Sequence, residues 1–132
     1  MDLKLNGKIA IITGGSEGIG KAAATSLVSE GAKVTICARR VGLLEETAQL
    51  IRDNTGGEVL AISADMTEPS DIKNVIEKTV EKFGGIDIVV NNAGQSAAGS
   101  FETVSDDDWE ADMDLKFYAA IRMSRAAIPY MK

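Results

Sequence analysis

A chain of 132 residues with a net charge of −6 has room for one domain, 1–132, burying roughly two thirds of its unfolded surface. The acidic balance argues against nucleic acid as the main partner, because phosphate backbones select basic surfaces; a nucleotide needs only a local positive site. One cysteine, Cys37, rules out an intramolecular disulfide, and the lack of histidine removes the commonest general base and metal ligand.

Lys8 to Thr13 reads as a first strand, apolar without alternation, as expected for a strand covered on both faces of a parallel sheet. The turn Thr13-Gly14-Gly15-Ser16-Glu17-Gly18-Ile19-Gly20 follows. Gly18 to Glu30 reads as a helix with Ile19, Ala23 and Leu27 at four-residue spacing, and Gly31 stands where a helix ends. Lys33 to Ala38 is a second strand. Leu43 to Asn54 is a second helix with Leu43, Leu44, Ala48, Leu50 and Ile51 on its apolar side, stopped by Thr55-Gly56-Gly57.

Val59 to Ser63 is a third strand. A third helix, about Pro69 to Phe83, carries Ile72, Val75, Ile76, Thr79, Val80 and Phe83 as one stripe. Ile86 to Asn91 is a fourth strand, and Gly94 to Val104 a polar loop. Ser105 reads as the N-cap of a last helix, with Asp106, Asp107 and Asp108 in its first turn. That helix runs to about Ile128 with Trp109, Met113, Phe117 and Ile121 at four-residue spacing, while Ala119, Ala120, Ala126 and Ala127 allow a close neighbour.

Strands alternating with helices predict an α/β, doubly wound parallel sheet of Rossmann type, in the order 3-2-1-4, with helices on both faces. Ligands of such sheets sit at the carboxyl ends of the strands where the order reverses. Here that point lies between strands 1 and 4, where the glycine turn and Asn91-Asn92-Ala93-Gly94 converge. Glycines let a backbone approach a ligand closely, and a helix start offers free N–H groups with a partial positive charge. The prediction is a dinucleotide site; a tight turn with no ligand is the alternative.

Thr13-Gly14-x-x-x-Gly18-Ile19-Gly20 together with Asn91-Asn92-Ala93-Gly94 resembles the short-chain dehydrogenase/reductase family, and the order of elements matches it from about residue 6 onward. The resemblance implies that Gly14, Ser16, Gly18, Ile19 and Gly20 line the pyrophosphate and ribose of a nicotinamide dinucleotide. It implies that Asp65 and Met66 meet the adenine, and that Asn92, Ala93 and Gly94 wall the adenosine ribose and nicotinamide. Asn91 would tie the fourth strand to its surroundings.

At the end of the second strand an acidic residue would bind a free ribose 2′-OH, whereas an arginine accommodates a 2′-phosphate. This chain has Ala38-Arg39-Arg40 there, so NADP(H) is expected over NAD(H), with Arg39 in the family's selecting position. Glu17 opposes that, since it stands where the family's NADP enzymes often carry a basic residue. A solvated helix start is the other reading of the two arginines.

The family's chemistry is hydride transfer between nicotinamide and a small-molecule carbonyl or alcohol, with a tyrosine as acid/base, a lysine four residues on, a serine and often a relay asparagine. A tyrosine titrating near 10 needs such a positive neighbour. Tyr118 is followed four positions later by Arg122, and Tyr130 lies two residues before Lys132; neither makes Tyr-x-x-x-Lys. The resemblance therefore implies the N-terminal cofactor-binding half, with the catalytic serine, tyrosine and lysine lying beyond it and this chain alone inactive. The relay asparagine's position falls on Lys116, either a positive donor or a surface lysine. A non-catalytic nucleotide-binding or interaction module is the alternative function.

Cys37 reads as a small core residue. The three aspartates read as helix capping, and no metal is expected. No apolar run of about 18 residues predicts a membrane span, and Met1 to Gly7 lacks the apolar segment of a secretory signal, which leaves the cytoplasm as the expected location. A fourth strand at the sheet edge and an uncovered last helix predict association into a homo-oligomer, or with a complementary fragment.

Overall fold

The structure, a computed structural model, describes residues 1–94 and 99–131. Four parallel strands, β1 (Ile9–Thr13), β2 (Lys33–Ala38), β3 (Val59–Ser63) and β4 (Ile88–Val90), lie in the expected order β3-β2-β1-β4. The crossovers are the helices α1 (Gly18–Ser29), α2 (Val41–Thr55) and α3 (Pro69–Phe83). After β4 come α4 (Asp106–Met113), a π-helical turn (Asp114–Tyr118), α5 (Ala119–Ala127) and a short 3-10 turn (Ile128–Tyr130). The part of the Gly94–Val104 loop at 95–98, and Lys132, lie outside the described residues.

Successive residues of a strand face opposite sides of the sheet. Ala10 and Ile12 of β1, with Val34 and Ile36 of β2, pack on α1 and α2 through Ala24, Val28, Leu44, Ala48 and Ile51. Ile11 and Cys37 turn to the other face, where Ile72, Val75 and Ile76 of α3 and Met123 of α5 cover them. Both faces are covered, so the strands read as unbroken apolar runs. Each fully buried isoleucine contributes about 1.5–3 kcal/mol. Between the layers the buried Thr35 and Thr79 hydroxyls lie 2.9 Å apart and join β2 to α3.

Several expectations shift. In α1 the buried face is Gly20, Ala24 and Val28, one residue along from the expected stripe, and Ile19 is 81% exposed. In α2, which begins two residues early, Thr47 replaces Leu50 on the inner face, and Leu50 is exposed. β4 is shorter than Ile86–Asn91 because its neighbours bond otherwise. Before it, the Asp87 carboxylate accepts from Ile9 N at 2.9 Å; after it, the N–H groups of Asn92 and Ala93 are taken by Thr13 Oγ1.

The last helix is not one α-helix. Ser105 caps it as expected, its Oγ accepting from Asp108 N at 3.2 Å, but five residues are π-helical. Its buried positions are Ala119, Met123 and Ala127; the two alanines let α3 come close, and Met123 fills the space between them. Trp109, Met113, Phe117 and Ile121 are each 43–45% exposed. No helix among the described residues is long and apolar enough to cross a membrane.

Candidate functional site

The glycine turn leaves β1 and is fixed at once. Gly14 N and Gly15 N donate to the Cys37 carbonyl of β2 at 2.8 and 3.4 Å. Gly14 has φ +69°, and a Cβ on it would sit 2.9 Å from Ala93 Cα. Only glycine is at ease there, for both reasons. Two turns of chain later, a Cβ on Gly20 would run into the Gly14 carbonyl oxygen and lie 2.6 Å from Asn92 Nδ2. Gly20 is thus a spacer that lets α1 start hard against its own turn.

β4 meets this turn through a cluster of hydrogen bonds. Thr13 Oγ1 accepts from Asn92 N at 3.0 Å and from Ala93 N at 2.9 Å, and Asn92 Nδ2 donates to Gly14 O at 3.1 Å. The two motifs are therefore one structure, joined across 77 to 80 residues of sequence. Asn91 points elsewhere, its Nδ2 lying 3.4 Å from Ser124 Oγ of α5, which ties the strand end to its surroundings as expected.

Above the strand ends lies a cleft of about 290 Å³. Of the candidate residues, Gly14, Ser16, Arg39, Asp65, Met66, Asn92, Ala93 and Gly94 line it. Gly18, Ile19 and Gly20 do not. Gly18 and Ile19 are exposed at the start of α1, and Gly20 is buried behind the turn. Lys116 lies in an adjacent small hollow with Thr13, Met66, Asn91 and Ala93. Its Nζ is 2.9 Å from Asp112 Oδ1, one helical turn back.

The electrostatics differ along the cleft. Arg39 and Arg40 are exposed at the end of β2, in no ion pair among the described residues, while Glu17 lines the same cleft. The first turn of α1 carries no acidic side chain, and its N-cap, Glu17, makes no side-chain capping bond, so the Glu17 carboxylate offsets the positive helix end by charge alone. Asp65 accepts from Thr67 N at 2.9 Å and Thr67 Oγ1 at 2.7 Å; these bonds, helped by the Arg39 charge, hold its carboxyl below the ordinary value. Cys37 forms part of the cleft wall, yet burial pushes its thiol up to about 12. It stays protonated at neutral pH and is no nucleophile, as its reading as a core residue requires.

The cleft also takes in Ala38, Ala64 and Leu115, which no local pattern marks. Thr13 and Thr47 matter without lining it. Thr47 Oγ1 of α2 donates to the Ser16 carbonyl at 2.6 Å. A hint for Thr13 exists, since it directly precedes the first glycine; Thr47 has none.

Comparison with known proteins agrees with this fold. The short chain dehydrogenase family matches residues 8–132. The 11-beta-hydroxysteroid dehydrogenase 1A of Arabidopsis thaliana is 36% identical over 129 residues, 97% of this chain and 37% of the plant protein. An uncharacterized oxidoreductase of Listeria monocytogenes is 35% identical over 127 residues, 96% of this chain and 51% of that protein. The crystal structure of L-sorbose reductase from Gluconobacter frateurii, complexed with NADPH and L-sorbose, superposes with a TM-score of 0.94 at 37% identity, covering 98% of this chain and 49% of that one. An alcohol dehydrogenase from the archaeon Thermococcus sibiricus, complexed with 5-hydroxy-NADP, gives a TM-score of 0.88 at 30% identity, over 93% of this chain and 52% of that one. This chain spans about a third to a half of the length of these relatives. It belongs to the short chain dehydrogenase family.

Proposed function

From that membership, we propose that residues 1–132 form a single dinucleotide-binding domain that supplies the cofactor site of an NADP(H)-dependent oxidoreductase. The observation that carries the reading is the cleft itself. A helix start whose N-cap side chain makes no capping bond and a glycine turn stand at one end, two guanidinium groups in no ion pair among the described residues at the other, and Asn92 to Gly94 along the wall. The residues fit the cofactor: Gly14 brings backbone to the cleft where a side chain would collide, and Gly18 has open space around it. When bound, the nicotinamide carries a hydride to or from a carbonyl or alcohol carbon of a small-molecule substrate.

In this reading Ser16 and the exposed start of α1 at Gly18 and Ile19 hold the pyrophosphate, while Gly20, buried behind the turn, lets α1 start close to it. Arg39 binds the 2′-phosphate bidentately, Asp65 and Met66 face the adenine, and Asn92, Ala93 and Gly94 flank the ribose and nicotinamide. Glu17 weakens a 2′-phosphate contact, so NADP(H) preference rests on Arg39. Two solved relatives with NADPH or 5-hydroxy-NADP in their complexes support the same cofactor. Titration with NADPH and NADH, followed by calorimetry, tests this: NADPH binds more tightly, and Arg39→Ala removes the difference. Equal affinities in the parent chain would overturn it.

Lys116 brings a cation beside Gly94, its Cε being 3.9 Å from where a Gly94 Cβ would lie, and serves as a positive donor near the nicotinamide end. Turnover is not expected of residues 1–132 alone. Tyr118 stacks on Phe117 at 5.4 Å with Arg122 over its ring at 5.6 Å, a half-exposed aromatic beside an arginine rather than a lysine. The same observation favours the second reading, a nucleotide-binding module without chemistry. Steady NADPH oxidation by the 132-residue chain on any ketone would exclude that module. A cytoplasmic location, and a homo-oligomer built on the exposed side of α4 and α5, complete the proposal; sedimentation at micromolar concentration showing only monomer would remove the latter.

A further inference from the structure

We propose that Thr47 is a positioning residue for the nucleotide turn, fixing the Ser16–Glu17 peptide so that the turn presents its N–H groups to a pyrophosphate. The inference rests on the dinucleotide reading and deepens it. Among the described helical residues, Thr25, Thr55 and Thr79 spend their hydroxyls on the carbonyl four residues back, Lys21, Ile51 and Val75. That is the usual local use of a helical threonine. Thr47 instead reaches out of its helix to Ser16 O, 31 residues earlier, at 2.6 Å, with both residues buried.

The first half of the turn rests on β2, where the Gly14 and Gly15 N–H groups bond the Cys37 carbonyl and a Cβ on Gly15 would lie 2.7 Å from Ile36 Cγ2. The second half has no strand beside it; α2 holds it through Thr47. A peptide unit is planar and trans, so drawing the Ser16 carbonyl toward α2 turns the Glu17 N–H the opposite way. Ser16 and Glu17 both line the cleft. The same helix begins just after Arg39 and Arg40, so the Thr47 bond also sets the spacing between the pyrophosphate turn and the basic end.

The test compares the parent chain with Thr47→Val, which keeps the shape and removes the donor, and Thr47→Ser, which restores it. Binding of NADP⁺ and of adenosine 2′-monophosphate, which lacks the pyrophosphate, is measured by calorimetry, and exchange of the residue 16–20 amides by mass spectrometry. Thr47→Val weakens NADP⁺ about tenfold, leaves adenosine 2′-monophosphate unchanged and speeds exchange, while Thr47→Ser behaves like the parent. If Thr47→Val does not fold, Thr47→Ala, which lets water reach the Ser16 carbonyl, is read the same way. Parent-like NADP⁺ binding by Thr47→Val, or equal losses for both ligands, would overturn the role of Thr47 alone. A parent chain that binds no NADP⁺ overturns the dinucleotide reading, and this inference with it.

Discussion

The glycine turn and the segment from Asp106 to Tyr130 are both rich in small and apolar residues, and they are held in opposite ways. The turn is gripped from three sides by directional bonds: β2 through the Cys37 carbonyl, α2 through Thr47, and β4 through Asn92. The last segment is held mainly on one face, by packing of Ala119, Met123 and Ala127, while Trp109, Met113, Phe117 and Ile121 present much of their side chains to solvent. Where backbone is fixed by hydrogen bonds at close approach, one added carbon is too many. Where a helix is held by apolar area, the cost of a change depends on which face it falls.

The sharpest way to break the comparison is Gly20→Val. Its side chain must displace the Gly14 carbonyl and Asn92, which costs about 3 kcal/mol or more and distorts the turn. A thermal melt close to the parent's, with nucleotide binding intact, would show that the turn is not tightly packed. Next comes the inner face of the last helix. Met123→Ala removes a fully buried side chain and costs about 2–5 kcal/mol in chemical denaturation, whereas Phe117→Ser on the half-exposed outer face costs about 1 kcal/mol. If the two variants denature alike, the one-sided packing of this segment is wrong.

Thr13→Val leaves the N–H groups of Asn92 and Ala93 without their acceptor. The expected loss is about 1–3 kcal/mol, largely recovered in Thr13→Ser, whose hydroxyl accepts again. The smallest effect belongs to Asp65. Its folded pKa is lowered, so it contributes stability above its ordinary value of 3.8 and loses it as the pH falls through that value toward the lowered one. Asp65→Asn therefore lowers stability modestly at neutral pH and flattens the acid limb below about pH 4, where the two proteins converge. Matching acid limbs for the two proteins would mean that the Thr67 bonds do not favour the ionised carboxyl.

Much of this was legible beforehand because it is local. Apolar runs bounded by glycine located β2, β3 and α3 to the residue, and two short motifs located both walls of the cleft. Errors arose where the partner, not the segment, decides. The inner face of α1 turned by one residue because Gly20 must pass under Gly14, although Ile19 is the more apolar residue. Leu50 lost its expected inner place to Thr47, whose hydroxyl had a carbonyl to reach.

By itself, then, the sequence determined the alternation of elements, the strand order that right-handed crossovers impose, and the glycine turn at the point where that order reverses. Periodicity and turn chemistry act within a few residues and need no partner to be read. The tertiary structure alone decided that Thr13 closes β4 against the turn, that Thr47 anchors Ser16, and that the last helix buries Ala119, Met123 and Ala127 while its aromatics stay outside. Each of those outcomes joins groups separated by tens of residues, and a hydrogen bond or a packed face exists only once folding has brought both partners together.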